Sequence, residues 1–169
     1  MKKYIILVSL LMSASSAFCQ AESPLIFKYK NSLQFEAGGH AGLYSINYER
    51  VFLNKEKYKI TGQAGASFAP YGQHGYIAVF PFALNGIRSF EKHHIELGAG
   101  TAFGQYLTSG VAGITKGPVE RITIRAGYRY QKPDSRFLFR AAFTPLITKY
   151  APNDISFAPW VGVAVGYAF

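Results

Sequence analysis

The sequence contains very little cysteine and little charge, and both shortages narrow the class of protein. Cys19 is the single cysteine, so a chain cleaved after it has no disulfide framework and no thiol chemistry. Charged residues make up 16% of the chain, against about 25% in average soluble proteins. No run of about 18 apolar residues follows the N-terminal region, which excludes a transmembrane helix there. These shortages argue against a disulfide-stapled domain and against an ordinary soluble one.

The residues that are abundant are strand formers and turn formers. The chain has 14 Phe, 12 Tyr and 17 Gly, which are typical of strands and turns. Removing Lys2 and Lys3 from the 18 basic residues leaves 16 against 9 acidic residues, a net charge of about +7. Such a charge is compatible with nucleic acid or with anionic lipid headgroups. The basic residues are scattered in ones and twos, and the export signal described next argues against nucleic acid.

The N-terminus has the three parts of a secretory signal peptide. Lys2 and Lys3 are followed by a short apolar run at 5–12 and by mostly small residues at 13–19. The apolar run is too short to span a bilayer, which takes about 20 residues. We expect a signal peptide at 1–19, cleaved near Cys19. Lipidation of Cys19 is the alternative, although Ser16 and Phe18 fit lipoprotein processing poorly.

After the signal, segments of about ten residues alternate with period 2 between turn sequences. Alternation places neighbouring side chains on opposite faces of a strand, and it is the signature of a transmembrane barrel strand. The sequence predicts an all-β fold, a closed antiparallel up-and-down transmembrane β-barrel of about eight strands. The predicted organisation is a signal peptide at 1–19, an N-terminal periplasmic segment at 20–31 and the barrel at 32–169. The predicted strands are 32–39, 43–52, 58–68, 76–87, one from about 92, one near 122–130, 137–144 and 160–169.

The connections between these strands separate into two groups if both termini are periplasmic. The predicted periplasmic turns are near 53–57, 88–93 and 131–135. The predicted extracellular loops are near 39–42, 69–75, 105–118 and 148–156. Short turns on one side and mostly longer loops on the other are typical of outer-membrane barrels.

One face of each strand is rich in Tyr, Ile, Val, Leu and Phe, whereas the other carries small residues and a few charges. Because an eight-stranded lumen is only just wide enough for side chains, the small face is expected inside and the bulky face against lipid. Charges on the lipid face would cost about 2–4 kcal/mol at mid-depth for Arg or Lys. We therefore expect a luminal charge network that closes the barrel, or else solvation of some of these charges near the rims. Its predicted members are Glu49, Glu96, Arg125, Arg129 and Arg140.

The last nine residues, 161–169, alternate strictly and end in phenylalanine. This segment resembles the terminal strand of small Gram-negative outer-membrane β-barrel proteins, whose barrel architecture is of the OmpA and OmpX type. The resemblance implies that the barrel-assembly machinery recognises Val163, Val165, Tyr167 and Phe169 during biogenesis. It also implies a place in the outer membrane of the cell envelope, with outer-membrane lipids and lipopolysaccharide as partners.

The chemistry-bearing residues do not form a recognisable active site. His93 and His94 are adjacent and point to opposite faces of a strand, while His94 and Glu96 share a face but supply only two metal ligands. His40 and His74 are expected in outer loops, without a paired nucleophile. We expect no catalytic residues, no metal and no cofactor, and a structural or loop-mediated binding role for an unidentified extracellular ligand. The alternatives are a lipid A-modifying enzyme, a narrow gated pore and a soluble lipocalin-like barrel.

Overall fold

The computed structural model describes residues 26–72, 74–110, 113–151 and 154–169, and almost all of its regular structure is β-strand. The predicted signal peptide and residues 20–25 lie outside the described residues. The strands are β1 Asn31–Gly38, β2 Tyr44–Asn54, β3 Tyr58–Pro70, β4 Gly75–Phe90, β5 His93–Gly110, β6 Gly113–Tyr130, β7 Phe137–Phe143, β8 Leu146–Ala151, β9 Asp154–Ala158 and β10 Val161–Ala168. A short 3-10 helix, Gly39–Ala41, connects β1 to β2. Within the described ranges no helix is long and apolar enough to cross a bilayer.

The ten strand segments form one antiparallel sheet that closes on itself, because β1 pairs with β2 on one side and with β10 on the other. β7 and β8 both pair with β6, so they are two parts of one strand interrupted near Pro145. β10 pairs with β7 and β9 pairs with β8, so β9 and β10 are also two parts of one strand, interrupted near Pro159. Proline has no backbone N–H to donate to a sheet ladder. Ten segments therefore occupy eight strand positions, and the predicted eight-stranded barrel is confirmed.

Side chains alternate between the outer wall and the lumen, as the sequence predicted. On β10, Val161 is 68% exposed and Val165 is 56% exposed, whereas Ala164 and Ala168 on the other face are buried. On β1, the inward Glu36 is buried between exposed or half-exposed neighbours. Apolar groups outside and polar groups inside are the reverse of a water-soluble fold. A closed sheet also pairs its backbone amides internally, which hydrocarbon surroundings require.

Two of the four predicted outer loops are wrong, because the chain there continues as paired strands. The predicted loop at 105–118 is the tip of the β5–β6 hairpin, with pairing as far as Gly110 and Gly113. The predicted loop at 148–156 is the β8–β9 hairpin, which pairs as far as Ala151 and Asp154. Glycine and polar residues suggested loops there, but sheet pairing depends on backbone hydrogen bonds and continues through these residues. We call this side of the barrel the hairpin end, and the side where β1 begins and β10 finishes the terminus end.

The predicted outer loop at 39–42 is also wrong in its placement, because it turns into the barrel. His40 and Ala41 are buried. Gly38, Gly39 and Gly42 have φ angles of 76°, 66° and 98°, a conformation that glycine adopts without steric cost. These three glycines let the chain reverse within a few residues and place the 3-10 helix inside the hairpin end.

Candidate functional site in the barrel lumen

The centre of the lumen holds six ionised side chains, three carboxylates and three guanidiniums. Each is at most 1% exposed, and each comes from the small-residue face of its strand. β1, β2 and β5 contribute the carboxylates, and β6 and β7 contribute the guanidiniums. We call this set the luminal charge network: Glu36, Glu49, Glu96, Arg125, Arg129 and Arg140.

Arg140 lies within ion-pair distance of all three carboxylates. Its Nη1 is 3.2 Å from Oε1 of Glu96 and 3.3 Å from Oε2 of Glu49, and its Nη2 is 3.6 Å from Oε1 of Glu36. Nη2 also donates to Oε1 of Gln63 at 3.2 Å. Arg140 is the centre of the network, because its guanidinium contacts one carboxylate from each of three strands.

Arg125 and Arg129 complete the network on either side of Arg140. Arg125 pairs with Glu36 at 2.5 Å and with Glu96 at 3.4 Å. Arg129 pairs with Glu49 at 2.6 Å, and its second guanidinium nitrogen donates to Oε1 of Gln131 at 2.7 Å. Three positive and three negative charges cancel, so the buried set carries no net charge.

Most polar atoms of the network have partners, which a buried charge requires. Oε2 of Glu36 accepts from Asn47 at 3.2 Å and from Gln63 at 3.4 Å. Three network atoms have no hydrogen-bond partner among the described residues: Nε of Arg125, Nε of Arg140 and Oε2 of Glu96, which lies 3.9 Å from Nη1 of Arg129. Removing two charges from water is expensive, and their attraction compensates only when the remaining donors and acceptors are also satisfied. The arrangement therefore depends on each of its members.

The structure brings together all five residues that alternation assigned to the lumen, and it places none of them at a rim. Sequence reasoning missed Glu36 and the two glutamines that bind the arginines. Glu36 could have been predicted from the sequence, because it lies between the outward-facing Phe35 and Ala37. Alternation along β1 therefore turns its side chain into the lumen. Gln63 shares the inward face of β3 in the same way.

The terminus end of the lumen is closed by Phe27, from the segment that precedes β1. Its side chain is buried and packs edge-on against His94, with ring centroids 5.1 Å apart. Nζ of Lys59 lies 4.6 Å from the centre of the ring, and the Arg129 guanidinium lies 5.4 Å from it. Asn54 fixes the backbone here, because it accepts from Phe27 N at 3.2 Å and donates to Phe27 O at 2.8 Å.

The hairpin end of the lumen is closed by His40 and by an apolar layer above it. Nδ1 of His40 and Oγ1 of Thr123 form a hydrogen bond. The apolar layer consists of Ala41, Val79, Ala102 and Val119. His40 lies in the connection between two strands, where burial, followed by the charges of nearby arginines, lowers the pKa of its imidazole to about 2. The imidazole is therefore neutral at physiological pH.

The terminal strand presents its predicted assembly residues on the outer wall. Val163, Val165, Tyr167 and Phe169 are all exposed. The backbone of Phe169 exchanges hydrogen bonds with Asn31, at 3.2 Å and 2.8 Å, so the last residue is joined to the first strand. Recognition of this strand by the assembly machinery stays a prediction.

No group of three or more potential metal ligands occurs within the part of the chain that the structure describes. His94 faces the lumen, where its Nε2 lies 2.8 Å from the carbonyl oxygen of Gln131. His93 lies on the outer surface of the terminus end, 2.5 Å from the hydroxyl of Tyr128. The two adjacent histidines therefore point to opposite faces of β5.

A closed antiparallel barrel of eight strands, apolar outside and ionic inside, has the fold of small outer-membrane β-barrels of the OmpA type. Among solved structures, the N-terminal β-barrel domain of OprF from Pseudomonas aeruginosa is similar, with a TM-score of 0.52. The match has 16% sequence identity and covers 84% of this chain and 100% of that one. No protein-family model and no curated protein matches the sequence. The likeness is one of fold, and it confirms the predicted resemblance to small outer-membrane barrels.

Proposed function

We propose that the protein is an outer-membrane barrel with a closed lumen, whose role is structural or is exerted by binding at its hairpin end. The predicted signal peptide directs export and is then cleaved, and the terminus end faces the periplasm. The observation that carries this proposal is the luminal charge network, because six buried, mutually paired side chains fill the middle of the barrel. A lumen built in this way supports neither bulk transport nor access of a substrate.

Closure at three levels supports the proposal. Phe27 blocks the terminus end, the charge network fills the centre, and His40 with the apolar layer blocks the hairpin end. Eight-stranded barrels have interiors just wide enough for side chains, whereas open porins have about 16–18 strands. The closed lumen is the expected outcome of strand number combined with these particular side chains.

The hairpin end supports a binding role because part of it extends beyond the rest of the wall. β5 and β6 each have 18 residues, whereas β1 has 8. β4 accompanies β5 along this extension, with pairing as far as Gly75 and Thr108. Ile114, near the tip, is 71% exposed, and Tyr71 packs against Tyr106 at 5.2 Å. A stiff sheet with exposed apolar and aromatic groups is suited to contact another molecule outside the membrane.

An inserted wild-type barrel is expected to give no steps of ion conductance in a planar lipid bilayer. Charges and rings at three levels leave ions no continuous aqueous path. Insertion is verified separately by heat-modifiable migration on gels, which distinguishes a folded membrane barrel from a soluble one. Regular openings by the inserted protein would contradict closure and favour a narrow gated pore. A change in lipid A mass on expression, abolished by a Ser or His substitution, would favour an enzyme.

Nitroxide labels on the outer wall should report hydrocarbon surroundings. Val163 and Ile124 are about half exposed on the barrel's outer face, at positions where only lipid would cover them. We expect both labels, introduced at cysteines in vesicle-inserted protein, to collide with oxygen more than with a water-soluble nickel complex. A label at Ile114, on the tip of the extension, is the matched control and should show the opposite preference. An aqueous environment at Val163 and Ile124 would contradict membrane insertion.

A further inference from the structure

The outer rim of the terminus end carries a concentrated positive charge. Nine exposed basic side chains lie in the segment before β1, at position 50, and in the three stretches 55–57, 88–92 and 132–136. They are Lys28, Lys30, Arg50, Lys55, Lys57, Arg88, Lys92, Lys132 and Arg136. Each of those three stretches contains one acidic residue, Glu56, Glu91 or Asp134. The rim thus has an excess of six positive charges, which is most of the mature chain's surplus. In the β5–β6 hairpin at the other end, by contrast, the basic residues Lys116 and Arg121 are accompanied by the acidic Glu120.

No carboxylate of the described residues lies within ion-pair distance of these nine basic groups, since every ion pair found there is luminal. Instead, two arginines lie over aromatic rings. Arg88 is 5.6 Å from the ring centre of Tyr58, and Arg136 is 4.6 Å from that of Tyr29 and 5.6 Å from that of Tyr167. Tyrosine rings favour the boundary between hydrocarbon and water. These two arginines therefore lie at the level expected for lipid headgroups, and none of the nine basic groups is ion-paired with a described carboxylate.

Arg50 differs from the other rim residues because it borders a groove in the outer wall. The groove has a volume of about 630 Å³ and runs across β2 to β5. Among its lining residues, Gly62 lies between the side chains of Phe52 and Leu84, and Ala64 lies between Tyr48 and Phe82 on the paired strands. Apart from Arg50 at the terminus end, its outer-wall lining is mostly apolar. An apolar channel with one cation at the headgroup level matches a lipid that has an acyl chain and an anionic phosphate.

We propose that this basic rim binds anionic phospholipids of the periplasmic leaflet, and that Arg50 holds the phosphate of one lipid whose acyl chain lies in the groove. The inference rests on the proposed orientation in the outer membrane and adds a ligand class to it. Lys and Arg near a membrane surface each strengthen binding to anionic lipid. A rim with an excess of six positive charges therefore selects anionic over zwitterionic headgroups.

The test uses the full mature chain in vesicles of phosphatidylcholine that contain a minor fraction of phosphatidylglycerol. Spin-labelled versions of both lipids measure which one is enriched at the protein surface. We expect wild type to prefer phosphatidylglycerol by about fivefold or more. The triple variant Arg50→Gln, Arg88→Gln, Arg136→Gln should lose most of this preference, and Lys116→Gln at the opposite end should keep it. Excess inorganic phosphate should leave the preference intact, because free phosphate lacks the acyl chain.

Individual lipid occupancy is measured by native mass spectrometry of detergent-released protein. Arg50→Gln should lose a retained phosphatidylglycerol that Arg88→Gln keeps. Ala64→Leu, which fills the groove, should lose it as well, whereas Ala126→Leu elsewhere on the outer wall should not. Equal enrichment of the two lipids around a correctly inserted wild-type barrel would overturn the proposal. Failure of the protein to insert at all, detected as the absence of heat-modifiable migration on gels, would instead overturn the proposed membrane location.

Discussion

Replacing Arg140 with methionine should lower the free energy of unfolding of the barrel by about 3–5 kcal/mol, the usual cost of removing one partner from a buried ion pair. Arg140 contacts Glu36, Glu49 and Glu96 within 3.6 Å. Without it, two guanidiniums face three carboxylates in a region that water does not reach. Equilibrium unfolding in urea, with vesicle-inserted protein and the fluorescence of Trp160, the single tryptophan, measures the change.

Two further variants separate loss of the ion pairs from a general effect of mutation. Lys116→Met, on the exposed hairpin, should change stability by less than about 0.5 kcal/mol. The double variant Arg140→Met, Glu96→Met restores the balance of two positive and two negative charges. It should therefore recover a substantial part of the loss, which a double-mutant cycle reports as coupling between the two sites. An Arg140→Met barrel as stable as wild type would mean that the carboxylates are hydrated and the network contributes nothing.

The central features of this site could be predicted because one physical constraint acts along the whole strand. A strand with an apolar outer face and an inner face toward a narrow lumen must alternate the two kinds of side chain, with a period of two residues. Any charge on the small face must then lie inside. The same parity that assigned Glu49 and Arg129 to the lumen would also have assigned Glu36.

The features that could not be predicted lie where this constraint ends. At the hairpin end both faces of the β5–β6 hairpin can meet water, so alternation weakens although backbone pairing continues to Gly110. His40 is buried because neighbouring glycines turn the chain inward, a result of backbone angles rather than of any periodic pattern. Phe27 lies in no strand at all. Its burial depends on Asn54 and His94, which are far away in the sequence.

Phe27 provides the second large expected effect, because it is a bulky core residue supplied by a segment outside the strands. Phe27→Ala should destabilise the barrel by about 3 kcal/mol, at the lower end of the usual range for removing a buried phenylalanine. The substitution removes the edge contact with His94 and the ring face beneath Lys59. It also lets water reach Arg129 from the terminus end. The same urea titration measures the loss.

Hydrogen exchange locates the effect of this substitution and distinguishes a closing role from simple packing. The N–H of Lys28 donates to the carbonyl oxygen of Pro133 at 2.9 Å, and the N–H of Val51 donates to that of Lys30 at 2.7 Å. Both N–H groups should exchange faster in Phe27→Ala, since the ring holds the segment against the mouth of the barrel. Ile26→Ala, which alters the exposed neighbour, is the matched control and should leave both rates unchanged. If both variants behaved like wild type, the Phe27 ring would not hold the segment before β1 in place, and the charge network alone would close the lumen.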